Sequence, residues 1–167
     1  MPRTSFDQKL RRLQDEILSL GSMVEDVLIQ SVDALRRRDR EASRKIIETD
    51  RLINRRRFSI ESDVLVTIAT QQPMAGDLRL LAAMLEITGE LERIGDYAKG
   101  IGRINLMLGD RPLVKPLVDI PLMAEKARDM LHQALTAFVD QDVELAFAIP
   151  RQDDEVDALY NQVYREL

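Results

Sequence analysis

At several places in this chain an acidic residue is followed four positions later by aspartate or asparagine, a spacing that puts both side chains on one side of a helix, and three of these pairs are candidate sites. The candidate pairs are Asp50 with Asn54, Glu92 with Asp96, and Asp153 with Asp157. Like charges one helical turn apart repel by about 0.2–0.5 kcal/mol, and a bound cation would offset that repulsion. Carboxylate and amide oxygens are hard ligands that suit divalent or trivalent metal ions. The spacing therefore predicts metal sites on helix surfaces.

Two other interpretations of these pairs stay open. A metal-free helical scaffold or dimerisation module would carry the same acidic columns as solvated surface, which is the usual role of such a pair. A di-metal carboxylate enzyme would need Glu-x-x-His motifs on two helices, and His132 is the only histidine. The residues therefore favour a protein that is not an enzyme. Iron, zinc, manganese and magnesium all accept oxygen ligands to varying degrees, so the identity of the metal stays open.

The composition limits the kinds of partner that are expected and the cellular compartment in which the protein is expected. The formal net charge of -5 and the pI near 5.0 argue against a nucleic-acid binder, which needs a basic face for phosphate contacts. The 167 residues include no cysteine, which excludes disulfides and thiolate zinc sites and favours the cytoplasm. The chain has neither the apolar core of a signal peptide nor about 18 successive apolar residues. Any membrane association is therefore expected to be peripheral, through partners.

Apolar residues recur at intervals of three and four along most of the chain, which predicts an all-α protein built from long amphipathic helices. Five helices are predicted: from Phe6 for about thirty residues, from Arg40 to before Pro73, from there to Leu108, from Leu122 to Val139, and from Val143 to the end. Pro150 allows a kink in the last one. The stretch 109–121 contains one glycine and three prolines and is predicted to be a linker.

The fourth and fifth predicted helices repeat the first and second without a gap. Ala127 follows Val24 by 103 positions, and the same offset aligns apolar and polar positions as far as Asn54 and Asp157. This pattern indicates an internal duplication in which the first copy has three helices and the second has two. The chain therefore looks truncated. Either it is part of a longer protein, or the second copy exposes an apolar groove that a partner subunit covers.

The acidic positions of the first copy are expected to face a groove between the second and third helices. One column at the edge of the second helix's apolar stripe holds Asp50, Asn54, Arg57 and Glu61. Glu92 and Asp96 lie on a comparable flank of the third helix, together with Gly95. If the two flanks meet, three carboxylates and an amide converge on a partly exposed site. Gly95 would allow the helix backbones or a hydrated ion to approach closely.

Three segments resemble motifs of the PhoU family of regulators of phosphate-specific transport. They are "QQPMAGDLRLLAAMLEITGELERIGDYAKGI" from Gln71, "DRLINRRRFSIE" from Asp50, and "DDEVDALYNQV" from Asp153. They occur in the family's order, and the resemblance covers essentially the whole chain. It implies tandem three-helix bundles: a first repeat at residues 1–109, a Pro-rich linker at 110–121, and a partial second repeat of two helices at 122–167.

The same resemblance implies a role and a set of ligands. Family members bind metal ions at the surface through E(D)xxxD motifs, which fall here on Asp50 with position 54, Glu92 with Asp96, and Asp153 with Asp157. Asn54 replaces a carboxylate, and the missing sixth helix removes half of the second site, so a full metal cluster is not expected there. The implied role is a cytoplasmic, non-enzymatic regulator that represses the phosphate-starvation response by contacting the phosphate-transporter ATPase and a sensor histidine kinase. A homo-oligomer that binds no nucleic acid is expected.

Overall fold

The computed structural model describes residues 3–166, which form helices and loops and contain no strand. The helices are α1 (Arg3–Arg37), α2 (Arg40–Gln71), α3 (Ala75–Leu108), α4 (Asp119–Asp140), α5 (Val143–Ala148) and α6 (Asp153–Glu166). The prediction of an all-α protein is confirmed. The single helix predicted from Val143 onward is instead divided into α5 and α6 by a 3-10 turn over Ile149–Gln152, at the position where Pro150 allows a kink. Helix α4 begins before the predicted Leu122, because Pro121 is tolerated in a first helical turn, where no intrahelical N–H bond is lost.

The turn that joins α1 to α2 has the same structure as the turn that joins α4 to α5. Asp39 and Asp142 each accept, at 2.9 Å, the backbone N–H of the residue three positions later, which satisfies an unpaired donor at the start of the helix. The residues before them, Arg38 and Gln141, have left-handed φ values of 60° and 55°. The turn is therefore repeated at the predicted offset of 103 positions.

Helices α1, α2 and α3 pack around one apolar core. Its most deeply buried side chains include Ile17, Leu20, Val24, Ile53, Val64, Leu81, Met84 and Leu91. Each such side chain contributes about 1.5–3 kcal/mol by its removal from water. Some large apolar side chains remain exposed on these helices, among them Phe58, Leu65 and Ile104. No helix within residues 3–166 has the length and apolar character needed to cross a lipid bilayer.

Helix α4 attaches the second half of the chain by packing against α1. Gly21 lies against Leu135, where any Cβ atom would overlap the leucine side chain. Farther along the same pair of helices, Val32 and Ala124 line one small cavity, so α1 and α4 run antiparallel. Gly21 corresponds to Ala124 and Val32 to Leu135 in the duplication. The two first helices of the repeats therefore meet through equivalent positions, as in an approximate two-fold arrangement.

Helices α5 and α6 pack against α4 and against the 3-10 turn between them. The loop from Gly109 to Val118 lies within the predicted linker. The division into a first repeat (residues 1–109), a linker and a second repeat (122–167) stays a prediction.

A candidate metal centre on the α2–α3 face

Lys99 links the acidic flank of α2 to that of α3. Its Nζ donates to Oδ2 of Asp50 at 2.8 Å and to Oδ1 of Asp96 at 2.9 Å. Asp50 is only 8% exposed, whereas Asp96 is exposed to solvent. The two carboxylates are thus brought together across the helix pair, as predicted, but a lysine lies between them. The sequence carried a signal for this lysine, because Lys99 follows Asp96 by three positions, close to one helical turn.

These contacts shift the protonation equilibria of the groups involved. The hydrogen bonds from Lys99 to Asp50 and then to Asp96 raise the pKa of the Lys99 ammonium. The hydrogen bond from Lys99 is also the main reason why the pKa of Asp96 lies below its usual range. Both shifts favour the charged forms. The lysine and Asp96 therefore form an ion pair at neutral pH.

Glu92 points to a second cation, Arg57, instead of to Lys99. Arg57 donates from Nε to Glu61 at 2.8 Å and from Nη1 to Glu92 at 3.4 Å, and its pKa is raised chiefly by the bond to Glu61. Between the two clusters, Asn54 donates from Nδ2 to the backbone carbonyl of Asp50 at 3.2 Å. The predicted donors of the first site thus lie along one face but are divided between two basic side chains.

Gly95 allows close packing of the helices at this face. A Cβ atom at Gly95 would lie 3.1 Å from Cδ1 of Ile53, and one at Gly102 would lie 3.2 Å from the backbone oxygen of Ser43. Both glycines therefore let α3 approach α2 closely, and Gly95 faces an apolar side chain in the core. At Gly89 and Gly100 an added Cβ would meet nothing within 4 Å, so packing does not explain those two glycines.

The third pair, Asp153 and Asp157, lies apart from the other two. Both residues are exposed on α6, and α6 packs against α4 and not against α3. Their neighbour Glu155 pairs with Lys126 of α4, and this hydrogen bond lowers the pKa of Glu155. In the part of the chain that the structure describes, no second helix brings further ligands to Asp153 and Asp157.

One atom of the α2–α3 face fits a bound cation. Oδ1 of Asp50 is buried and has no hydrogen-bond partner within the described residues, although a buried polar atom left unpaired costs about 1–3 kcal/mol. No three acidic or histidine side chains among residues 3–166 are grouped so that they could hold one ion, and Lys99 and Arg57 pair with the carboxylates of this face. The described residues therefore bring two of the predicted carboxylates, Asp50 and Asp96, to one place, where both contact the Lys99 ammonium.

Two segments of the chain, residues 17–104 and 120–167, match the family model described as the PhoU domain. A protein of Aquifex aeolicus named as a phosphate-specific transport system accessory protein PhoU homolog is 32% identical over 96% of this chain and 72% of its own length. A Synechocystis protein of the same name is 34% identical, with 99% of this chain and 74% of the relative covered. The Escherichia coli K12 protein named PhoU is 32% identical, with coverages of 97% and 67%.

Two solved structures have the same fold as this chain. The crystal structure of the phosphate transport system regulatory protein PhoU from Streptococcus pneumoniae superposes with a TM-score of 0.88 at 28% identity, covering 96% of this chain and 76% of that one. PhoU from Pseudomonas aeruginosa gives a TM-score of 0.89 at 29% identity, with coverages of 96% and 78%. The parts of both crystallised proteins that superpose therefore share the helical architecture described above.

Proposed function

The chain belongs to the PhoU family, and on that premise we propose that it is a regulatory accessory protein of a phosphate-specific transport system. The observation that supports this proposal is the 32–34% identity, over nearly the whole chain, to proteins named for that accessory role. The relatives and solved neighbours cited above are named as accessory or regulatory proteins and not as enzymes.

The proposed action is contact with other proteins on the cytoplasmic side of the membrane. The helical surfaces would bind the transporter ATPase and a sensor histidine kinase, and repress the phosphate-starvation response when phosphate is plentiful. Large apolar side chains exposed beside the charged clusters on α2 and α3 support docking of this kind: Phe58, Leu65, Tyr97 and Ile104. We also propose that the protein assembles with further copies of itself.

A metal ion is part of this proposal. Asp50 and Asp96 would hold a divalent or trivalent ion, with Asn54 and Glu92 as the neighbouring oxygen donors. A bound ion would neutralise the acidic face and stiffen or bridge a contact with a partner. Asp153 and Asp157 would form a second, weaker site, since the described residues supply it with fewer donors.

Metal binding is tested by calorimetric titration and elemental analysis with manganese, zinc, iron and magnesium. The variant Asp50→Asn/Asp96→Asn is expected to lose the high-affinity ion. Glu86→Gln/Glu90→Gln is the matched control, because these exposed residues have the same spacing on α3 but lie on another face of the helix. Equal affinity in both variants would remove the α2–α3 face as the metal site.

Partner contact is tested separately by affinity capture of the cognate ATPase and kinase from cells grown with abundant and with limiting phosphate. Capture that depends on the phosphate supply is expected for the unmodified chain. If neither protein is captured under either condition, the regulatory proposal fails.

One observation favours a second candidate, a metal-free helical scaffold. Lys99 and Arg57 already neutralise the carboxylates of the α2–α3 face, so a metal is not required for charge balance. For a scaffold, Glu92→Gln/Asp96→Asn is expected to change neither the metal content nor the capture of partners. If the same variant loses a bound ion, the scaffold hypothesis is rejected.

A further inference from the structure

The side of α2 that faces away from the core carries a row of arginines followed by large apolar side chains. Successive members of the row are three, four or seven positions apart, so they lie on one side of the helix. We call this row the outer stripe of α2, and its members are Arg40, Arg44, Arg51, Arg55, Phe58 and Leu65. All of them are exposed.

The outer stripe is not a place that the shorter second repeat leaves vacant. The first repeat has all three of its helices, and α1 and α3 already cover the opposite side of α2, where Ile53 and Val64 are fully buried. Within residues 3–166, α2 packs against α1 and α3 and against no helix of the second repeat. The stripe is therefore the outside of a finished bundle.

The arginines of the outer stripe are not required by the fold. At the offset of 103 positions, the counterparts of Arg44, Arg51 and Arg55 are Phe147, Asp154 and Ala158. These counterparts are exposed as well, so the same side of the helix faces outward in both repeats. The second repeat forms its helices with no cation at these positions, and the positive stripe belongs to the first repeat alone.

Most of the positive charge on the outer stripe is not paired. In the part of the chain that the structure describes, no carboxylate forms a salt bridge with Arg44, Arg51 or Arg55, whereas Arg57 on the flank of α2 is held by two glutamates. From Arg44 to Arg55 the three guanidinium groups extend along about 16 Å of helix, at about 1.5 Å per residue.

The stripe stays positive when the neighbouring carboxylates are counted. Arg40 pairs with the exposed Asp110 at 3.3 Å, and Glu48 lies at the edge of the stripe. Four arginines thus outnumber these two carboxylates, in a protein whose formal net charge is -5. A surface that attracts anions is therefore maintained on an acidic protein.

The combination of arginines with large apolar side chains fits the surface of an anionic lipid membrane. Phe58 and Leu65 are 60% and 57% exposed and continue the line of the arginines. A helix that binds a membrane surface buries apolar side chains among the lipid headgroups and keeps lysine or arginine beside the lipid phosphates. Arginine side chains are long enough to lie along apolar surface while the charged group stays in water. A single exposed helix is also a ridge and not a cleft, and a bilayer surface needs no cleft.

We infer that the outer stripe of α2 binds the surface of a membrane that contains anionic lipids, with its arginines at the lipid phosphates and with Phe58 and Leu65 among the headgroups. The contact is peripheral, because no helix within residues 3–166 can cross a bilayer. Neither a metal ion nor another protein is required for it.

Cosedimentation of the whole protein with lipid vesicles is the test. One set of vesicles contains only phosphatidylcholine, and the other contains equal parts of phosphatidylcholine and the anionic phosphatidylglycerol. Binding is expected to the anionic vesicles and not to the neutral ones. It is expected to weaken as the salt concentration rises, because salt screens the charge of the membrane surface.

Removal of two unpaired arginines tests the charged part of the stripe. Each arginine near an anionic surface strengthens binding by about fivefold, so Arg44→Gln/Arg51→Gln is expected to bind the anionic vesicles about thirtyfold more weakly. Arg11→Gln/Arg93→Gln is the matched control, because it removes the same charge from exposed positions on α1 and α3. The control is expected to bind as the unmodified protein does.

The apolar part of the stripe has its own variant. Phe58→Gln/Leu65→Gln is expected to weaken binding about tenfold, while Ile104→Gln/Met107→Gln, which changes two exposed apolar residues of α3, is expected to leave it unchanged. Circular dichroism and urea unfolding show whether each variant remains folded. Since this pair of variants keeps the net charge, it still tests the stripe if Arg44→Gln/Arg51→Gln does not fold.

Three results would overturn the inference. The protein could fail to bind anionic vesicles at low salt. The stripe variants could bind as well as their controls, which would mean that the outer stripe is not the contact. Labelled polyglutamate could bind through Arg44 and Arg51 while vesicles do not, and the stripe would then be a site for an acidic protein segment. The vesicle measurement contains no other protein, so its failure leaves the phosphate-dependent capture of the ATPase and kinase unaffected.

Discussion

The two repeats share their helix-to-helix turn but differ in how deeply they bury the same side-chain positions. Asp39 and Asp142 cap the following helix with the same 2.9 Å contact, while Ile53 is fully buried and Val156 is half-buried. A turn of this kind depends on a few neighbouring residues. Burial instead depends on a third helix, and among residues 3–166 only the first repeat has one. Local structure can therefore be copied by duplication even where the packing is not.

The acidic faces of the two repeats also differ in their surroundings. On the α2–α3 face, Asp50 and Asp96 share the Lys99 ammonium, so their charges are balanced across two helices. On α6, Asp153 and Asp157 are exposed and face no such helix. The same four-residue spacing thus gives a paired, partly buried cluster in one repeat and a solvated acidic edge in the other.

Shortening one equivalent core side chain in each repeat should give the largest difference in stability between the two repeats. Ile53→Ala is expected to lower the free energy of unfolding by about 4 kcal/mol, because it leaves a cavity in a sealed core. Val156→Ala should cost only about 1 kcal/mol, since its side chain is already partly in water. Urea unfolding of the two variants measures both losses. Equal losses would mean that the second repeat is packed as tightly as the first.

The buried side-chain amide of Asn105 on α3 should make the next largest contribution to the free energy of unfolding. Asn105→Ala removes a side chain that donates to Asp39 and Ser43 and accepts from Arg38. Buried groups left unpaired cost about 1–3 kcal/mol each, and a total loss of about 3 kcal/mol is expected. Asn161→Ala, at an exposed position of α6, is the control and should change stability by less than about 0.5 kcal/mol. A loss below about 1 kcal/mol for Asn105→Ala would show that α3 is held without this network.

Removal of the shared cation should give a pH-dependent effect. Lys99→Met leaves Asp50 buried without its partner and is expected to cost about 2 kcal/mol at pH 7, less than the loss of a partner in a fully buried pair. The folded-state pKa of Asp96 is lowered, so its contribution is present above the unfolded pKa of about 3.9 and is lost as the pH falls through the folded pKa. The difference between the two proteins should therefore shrink in acid.

At alkaline pH the stability contributed by Lys99 is lost as the pH rises, the opposite direction from the loss in acid. The pKa of Lys99 is raised on folding, so its contribution is complete below the unfolded pKa of about 10.4 and is lost as the pH rises through the folded value. Chemical denaturation of wild type and Lys99→Met across this range measures the difference in stability. A difference that does not change with pH would exclude an ion pair at this position.

The smallest expected effects concern two glycines of α3. Gly100→Ala should stabilise the protein by about 0.5–1 kcal/mol, since alanine favours the helix and its Cβ would meet nothing within 4 Å. Gly102→Ala should give no gain or a loss, because its Cβ would lie 3.2 Å from the backbone oxygen of Ser43. Thermal unfolding distinguishes the two variants. A gain at both positions would show that α3 does not need its close approach to α2.

The helices, the repeated turn and the duplication can be predicted from the sequence alone. These features follow from short-range rules, because apolar residues every three or four positions select one helix face and an aspartate before a helix caps its first turn. The same periodicity also placed Asp50, Glu92 and Asp96 on the flanks of α2 and α3, where the structure has them. None of this required knowledge of how the helices meet.

Which charges pair with each other depends on how the helices pack in three dimensions. The periodicity put Arg57 in the same column as Asp50, yet Arg57 binds Glu61 and Glu92, while Lys99 binds Asp50. Ion pairs between helices depend on the depth and register of packing, and close approaches such as that of Gly95 to Ile53 are part of that packing here. A side chain finds its partner only after distant segments have been brought within a few ångströms, and helical periodicity carries no information about that distance.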